Sequence, residues 1–368
     1  MRRFLLNSEI VYLFVYDAGA RFSEEQLKGL LKNPEDFSKY EYNKPRPEEI
    51  PAINVPSIFN LKDETLDMAG LQYRFRVQAS VYTTGQFVIR VRHATADDPV
   101  VALGTLTFDP AVATFVKNIA GKAKARVESS LVKIGGQPAA EETEAYRFYY
   151  IESDRAVALK KYKKFIAGLL IDEHKTEGLD EGYLNVILSR NISYYEGDIH
   201  FVGWESAVLV DRLSGYEHEL LIVEIANVQM LELRILHKRI SRMLASANSA
   251  IAATGKHNYL TRRYGSSMRR LNRELGDFYD KTKEMVSAVT ETPQGLGEWY
   301  LAKLYALLAS EFKLSELESS LAGELDMIDK SREFVSDVIR GNTEEWLEII
   351  IILLIVLEVV VEVALLLK

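Results

Sequence analysis

Apolar spacing changes character along this chain. Short alternating or solid apolar runs come first, helical spacing of three and four follows, and a nearly solid apolar run comes last. In the first region, Glu9 to Val15 predicts a buried strand. Tyr73 to Tyr82 and Gln86 to His93 predict two strands around a hairpin turn at Thr83-Thr84-Gly85. Leu103 to Phe108 and Tyr146 to Ile151 predict further strands, and two or three short ones fall around Tyr194 to Asp198 and Trp204 to Val210. Helices are predicted over Glu24 to Leu31 with Ser23 as N-cap, from Asp109-Pro110 onward, and over Ala156 to Ile171. Pro45, Pro47, Pro51 and Pro56 mark one loop, and Gly135 to Pro138 another.

The second region is helical. Eight of the nine prolines lie between Pro34 and Pro138, and the ninth is Pro293. Glu217 to Ala253 holds no Gly or Pro, and Leu220 to Leu236 is apolar nearly all round, which predicts a helix buried on most sides. A turn at Gly255 to Asn258, a helix from Tyr259 to Thr290 and a turn at Thr292 to Gly297 follow. A third helix then runs from Glu298 without a proline. On it Leu314, Leu317, Leu321, Leu325, Ile328, Val335 and Ile339 form a coiled-coil-like seam, with a stutter after Leu321 and a gap at Arg332. The seam fits contact between copies or packing against the two preceding helices.

From Trp346 to Leu367, 19 of 22 residues are apolar, enough for a helix to cross about 30 Å of hydrocarbon. Three carboxylates interrupt the run: Glu348, Glu358 and Glu362. Each Leu, Ile or Val contributes roughly −0.3 to −0.6 kcal/mol to insertion, against about +2.5 to +3.5 for a central acid. The aliphatic residues therefore outweigh one central glutamate and two nearer the ends. At about 100° per residue, Glu358 and Glu362 share a face, with Glu348 within about 80° of both. Such an acidic face is shielded by other copies of the helix, as an interface or as the lining of a cation path, or the run is buried in a soluble oligomer with no membrane at all. The pattern as a whole predicts an α+β protein. Residues 1–213 form a mixed α/β cytoplasmic domain, 214–345 a stalk of long antiparallel helices, and 346–368 a single transmembrane helix.

Charge refines this picture. The net charge is −8, which argues against general coating of nucleic acid. Yet Arg234, Lys238, Arg239, Arg242, Lys256, Arg262, Arg263, Arg269, Arg270 and Arg273 fall in one stretch with no Asp or Glu between Glu232 and Glu274. Three partners fit this basic stretch: anionic lipid headgroups, RNA phosphates with Tyr259 and Tyr264 for stacking, or the acidic Glu311, Glu316, Glu318 and Glu324 of a neighbouring subunit. The chain has no cysteine, so disulfides and thiolate chemistry are excluded. Its six histidines show no metal-ligand spacing, and no phosphate loop, nucleophile elbow or dinucleotide fingerprint occurs. No cofactor, metal or catalytic residue is expected. The short Phe4-Leu5-Leu6 run is too brief for a signal sequence, and Lys330, Arg332 and Arg340 outnumber Lys368. Both point to a bulk that faces the cytoplasm.

Glu291-Thr292-Pro293, Leu325-Asp326-Met327-Ile328, Glu345-Trp346-Leu347-Glu348-Ile349 and Ile355-Val356-Leu357-Glu358-Val359-Val360 carry a resemblance. Over residues 215–368 the chain resembles the "required for meiotic nuclear division", or sporulation-associated, family. That resemblance implies a membrane-anchored oligomer without enzymatic activity, tied in mitochondria to support of translation. The layout is also similar to the CorA magnesium channels, but with one span and without their Gly-Met-Asn motif. A divalent cation is the species that architecture implies. The expected function is a homo-oligomeric, membrane-anchored scaffold or tether. A Glu-lined cation channel and an RNA or ribosome tether are the alternatives.

Overall fold

The strand that the apolar pattern marks first is the centre of the sheet. Ser8–Asp17 (β1) pairs antiparallel with Gln86–Thr95 (β6) on one side and Glu144–Glu152 (β7) on the other. The structure is a computed structural model. It describes residues 7–30, 38–39, 56–95, 98–138, 142–212, 215–254, 262–291 and 299–366. Side chains at 30, 38–39, 253–254, 262–265, 288–291, 341–346, 356–357 and 359–366 lie outside that description.

Outward from β6 come Leu71–Val81 (β5), Ser57–Asn60 (β3) and Ser38–Lys39 (β2). Outward from β7 come Ser206–Asp211 (β10), Ile199–Val202 (β9) and Asn191–Ile192 (β8). Glu64–Met68 (β4) pairs with β5. Among the described residues β7 and β10 run parallel, and the other pairs are antiparallel. The expected hairpin joins β5 to β6, and Gly85 takes a φ of +108° there.

One sheet face is apolar. Ile10, Tyr12, Ile89, Val91, Tyr149 and Val208 alternate onto it and form one core with the helices above. Those helices are Glu24–Leu30 (α1), Pro99–Phe108 (α2), Pro110–Val132 (α3), Arg155–Ile171 (α4) and Glu181–Leu188 (α5). Ser23 caps α1 as expected: its Oγ accepts from the Gln26 amide at 3.2 Å, and Gln26 Oε1 accepts from the Ser23 amide at 2.7 Å. Asp109 caps α3 by accepting from the Ala111 amide at 2.8 Å, ahead of Pro110.

Three expected elements are corrected. Leu103 to Phe108 is the end of α2, not a strand. Asp98 accepts from the Val100 amide, and Pro99 opens that helix as Pro110 opens the next. A short buried apolar run reads alike in both states. Tyr194 to Asp198 is a turn rather than a strand, because the Asp198 carboxylate accepts from Ser193 Oγ and from the Tyr194 and Tyr195 amides. The single third helix is two, Trp299–Glu311 (α8) and Leu314–Leu366 (α9). Between them Lys313 adopts a left-handed φ of +52°, and Phe312 is buried edge-on against Tyr146 of β7. Seating Phe312 on the sheet requires the break, and no Gly or Pro signals it.

The other sheet face is covered by the first turns of Glu217–Thr254 (α6), whose residues 220–231 are all buried. On its far side Tyr305 of α8 donates to Gln229. The chain divides into two compact units, 1–233 with 289–315, and 234–288 with 316–368. The second contains the rest of α6, Arg262–Glu291 (α7) and most of α9. Each helix buries apolar residues at helical spacing there: Leu236, Ile240 and Ala247; Met268, Leu271 and Leu275; Leu321, Leu325, Ile328 and Val335. The chain is thus a mixed α/β sheet followed by a helical part. The proline loop from Pro45 to Pro51 and the turns at Gly255 to Asn258 and Thr292 to Gly297 lie outside the described residues.

Gly85 provides a direct check on the hairpin. A Cβ there would meet the Ala20 carbonyl oxygen at 2.2 Å, at a φ that L-residues rarely adopt. Gly85→Ala should destabilise the protein by more than about 1 kcal/mol in chemical denaturation, since strain and clash act together.

Candidate functional site

Six charged side chains meet on the α6 side of the sheet. The register places Arg90 and Arg92 two residues apart on β6, on the face that also carries Glu9 of β1. Arg92 Nε donates to Glu9 at 2.8 Å, and one of its terminal nitrogens donates both to Glu217 at 2.8 Å and to the Tyr216 hydroxyl at 3.0 Å. Arg76 of β5 adds a second contact to Glu9 at 3.2 Å, and the Tyr216 hydroxyl donates to its other oxygen. Two turns along α6, Glu224 receives Arg90 Nε at 2.5 Å and the Tyr82 hydroxyl at 2.7 Å. Arg90 and Glu224 are 1% and 0% exposed, so this ion pair is wholly removed from water. Burial alone would raise the Glu217 carboxyl, but the Arg92 charge and hydrogen bond, with Arg90 and Arg76, hold it below the usual carboxylate range. Three cations and three anions balance. The arrangement binds α6 to the sheet.

Two further features lie outside this network. His200 of β9 is fully buried edge-on against Phe148, and neither ring nitrogen has a hydrogen-bond partner. Burial disfavours the imidazolium and lowers its pKa to about 3. A surface cleft of about 400 Å³ opens among α4, α5, the β9–β10 turn and α8, with Tyr183, Val186 and Trp204 in its walls. Its charged lining residues are Arg190, Glu205 and Glu311, and Arg190 is ion-paired to Glu311. Among the described residues no group of three or more His, Asp or Glu is placed to hold a metal ion.

The expected site residues are dispersed. Glu348 and Glu358 are exposed on α9, and the Glu362 side chain lies outside the described residues. Leu347 and each residue from Ile350 to Ile355 are also exposed, at 46% to 62%. Among the described residues no single helix is long and apolar enough to cross a membrane. Arg234 and Lys238 are half-buried, while Arg239, Arg242, Arg269, Arg270 and Arg273 are exposed. The α6 members of this set, Arg234, Lys238, Arg239 and Arg242, each already make an interaction within the chain. Arg262 and Arg263 occupy the first turn of α7 with side chains outside the described residues, and Lys256 lies outside them altogether. Of the acidic residues suggested as their partners, Glu311 pairs with Arg190 and Glu324 with His237. In the seam Leu314, Leu321, Leu325, Ile328 and Val335 are buried within one chain, and Leu317 and Ile339 are half-buried.

A protein-family profile described as "Uncharacterized protein MJ0711, N-terminal domain" matches residues 7–217. The chain belongs to this family. The family's stretch begins beside β1 and ends on the first residue of α6, so it holds Glu9, Arg90, Arg92, Tyr216 and Glu217 but stops short of Glu224. One relative, the Uncharacterized protein MJ0711 of Methanocaldococcus jannaschii, is 25% identical over 235 residues. The match covers 60% of this chain and 66% of the relative, just under two thirds of its length. No solved structure matches the chain.

The buried network was missed from sequence, although β6 carries its signal. Gln-Phe-Val-Ile-Arg-Val-Arg alternates two arginines onto one strand face in an otherwise apolar run. A charge at a core position needs a partner, and the sequence does not say where that partner lies. Arg90→Met should cost about 3–5 kcal/mol in urea denaturation because it strands Glu224, and Arg90→Met with Glu224→Leu should recover most of the loss. His200 sets a pH dependence. The unfolded chain takes up its proton near pH 6.5 and the folded chain only near 3, so stability falls as pH drops between those values. His200→Leu should remove about 1.4 kcal/mol per pH unit of that slope, measured by denaturation across the window.

Proposed function

We propose that this protein is a membrane-anchored, homo-oligomeric scaffold or tether, held by the end of α9 and presenting its sheet unit to a partner. One observation carries the reading. From Ile350 to Ile355, six consecutive aliphatic residues are each about half exposed. Six residues cover more than one and a half helical turns, so the exposure runs all round the helix. A helix of a water-soluble protein keeps an apolar stripe on one side; an apolar girdle calls for lipid or for other helices on every side. The sequence continues apolar to Leu367, the length that a hydrocarbon core requires. Glu348 and Glu358, exposed on either side of this girdle, favour self-association, since a carboxyl in an apolar medium needs a hydrogen-bonding partner. The resemblance of 215–368 to a family of anchored, non-enzymatic oligomers supports the same reading.

A second reading has a specific basis. Three acids on one face of such a helix form a ring when four or more copies surround an axis, and that ring would line a cation path. The two readings differ in subunit number and in flux.

The full chain should stay with the membrane fraction through alkaline carbonate washing and be released by detergent. Ile352→Lys with Leu353→Lys adds about 5–7 kcal/mol of insertion penalty and should move it to the soluble fraction. A wild-type chain that remains soluble as a defined oligomer without detergent would instead place the girdle between copies, and the anchor would be wrong. In detergent, a native mass of four or more subunits together with cation flux abolished by Glu358→Gln would select the path. A smaller assembly, or no flux, leaves the tether.

A further inference from the structure

The first turn of α7 stands level with the approach to the apolar girdle of α9, and this coincidence follows from three contacts inside the second compact unit. His237 of α6 pairs with Glu324 of α9 at 2.8 Å. Residues 316–368 group with 234–288, so beyond that pair α9 follows α6 toward Thr254. Seventeen residues separate His237 from Thr254, and seventeen on from Glu324 is Gly341. Arg332 of α9 lies over the Tyr279 ring of α7, 5.7 Å from its centroid, and beside Gly276. The seven residues between α6 and α7 reach at most about 25 Å, too short to bring α7 back alongside α6 in the same direction, so the two helices run antiparallel. Fourteen residues separate Gly276 from Arg262, and fourteen on from Arg332 is Trp346. At the same rise per residue in each helix, the hairpin therefore ends level with residues 341–346 of α9. Among the described side chains, the apolar run that stays exposed through Ile350 to Ile355 is first met at Leu347.

Over the three turns of α7 that lead to that level the charge is one-sided. Met268, Leu271 and Leu275 form the buried stripe of α7, which turns Arg269, Arg270 and Arg273 outward to solvent. Arg270 has an exposed partner in Glu274, which its 78% exposed side chain can exchange. Side chains on a helix lean toward its N-terminus, and the N-terminus of α7 is the end nearest the girdle. Arg262 and Arg263 occupy that first turn.

Resting on the anchored reading above, we propose that the first turns of α7, through Arg262, Arg263, Arg269 and Arg270, dock on the anionic lipid headgroups of the bilayer that α9 enters. The hairpin end acts as a basic collar around the point of entry. A phosphate or carboxylate headgroup is the anion found at that depth. Glu344 and Glu345 stand at the same level of α9 and are the competing partners within the chain.

The absence of cysteine allows two clean single-cysteine probes in the full-length chain. Ser267→Cys, exposed on α7, carries a fluorophore read by a headgroup-attached quencher, and Ile352→Cys carries one read by an acyl-chain quencher. Each is measured in phosphatidylcholine vesicles and in mixed phosphatidylcholine–phosphatidylserine vesicles. The expected result is Ile352 quenching in both and Ser267 quenching that rises with phosphatidylserine and falls with salt. A cation near an anionic surface is worth roughly fivefold, so replacing the four arginines by Gln shifts the docked ratio by more than about a hundredfold and removes that rise. Ile352 quenched with Ser267 indifferent to phosphatidylserine overturns the collar and leaves the anchor. If that indifference comes with a lower melting point for the Gln variant, Glu344 and Glu345 are the partners. Ser267 quenched without Ile352 overturns the anchor, and with it a collar around a point of entry, leaving only a peripheral lipid contact. RNA binding by the chain, lost in the Gln variant while Ser267 stays indifferent to lipid, assigns the same cations to nucleic acid and overturns the collar.

Discussion

Two salt-bridge clusters between the sheet and α6 fix how the first unit is assembled. Glu217 and Glu224 are seven residues apart, two turns, and so share one face of α6. Arg92 and Arg90 are two residues apart and share one face of β6. The spacings differ by about 4 Å, which extended arginine side chains absorb. A slide of α6 by one turn would set Leu220 or Val228 against these arginines and leave buried charge without a partner. Apolar packing alone would tolerate such a slide, because residues 220–231 are buried on every side whichever way they face. The ion pairs thus supply register more than net stability, in keeping with the small net gain of buried pairs.

The two faces of the sheet divide the labour accordingly. The face under α2 to α5 is held by one continuous apolar core, where shape decides the fit. The opposite face mixes apolar residues with Arg76, Arg90, Arg92 and Glu9, and aromatic stacking of Tyr216 on Tyr150 at 4.6 Å fastens the entry to α6. The family's matched stretch ends at Glu217, the first residue of α6. The Arg92 cluster is therefore complete within the family domain, whereas the acid that neutralises Arg90 belongs to the helical part that follows. Residue 224 should accordingly be judged together with residue 90 wherever either is compared or replaced.

What the sequence disclosed depended on whether the deciding interaction was local. β1, the β5–β6 hairpin, the Ser23 cap and the Asp109-Pro110 start of α3 rest on neighbours within a few residues, and each is present. The same local signal at Asp98-Pro99 was available for α2, but the Leu103 to Phe108 run masked it because buried strands and buried helices are equally apolar. The break at Lys313 had no local cause. It follows from Phe312 meeting Tyr146, more than 160 residues earlier in the chain, at a ring separation of 5.6 Å. The charged network failed to show for the same reason: Arg90 and Glu224 are 134 residues apart, and alternation reveals a buried charge without naming its mate. Spacing of three and four in the seam identified a buried stripe correctly but could not say whether the covering helix came from the same chain.

The end of α9 poses the opposite problem, a local preference that its conformation defies. Ile349 to Ile352 are four consecutive isoleucines, followed shortly by Val356 and the Val359 to Val361 run. β-branched residues of this kind are stiff in helices and favour strands. In water an exposed run of this composition would pair edge to edge with other chains. Yet the backbone is helical without interruption from Leu314 to Leu366. Hydrocarbon reverses the preference, because a segment there must satisfy every backbone amide within itself and only the helix does so for a single strand of chain. The proposed bilayer thus accounts for two facts at once: why aliphatic side chains face outward on all sides, and why a strand-prone sequence is wound into a helix. A soluble bundle of copies would cover the side chains but would still leave the helix dependent on packing strong enough to overcome propensity at more than eight β-branched positions.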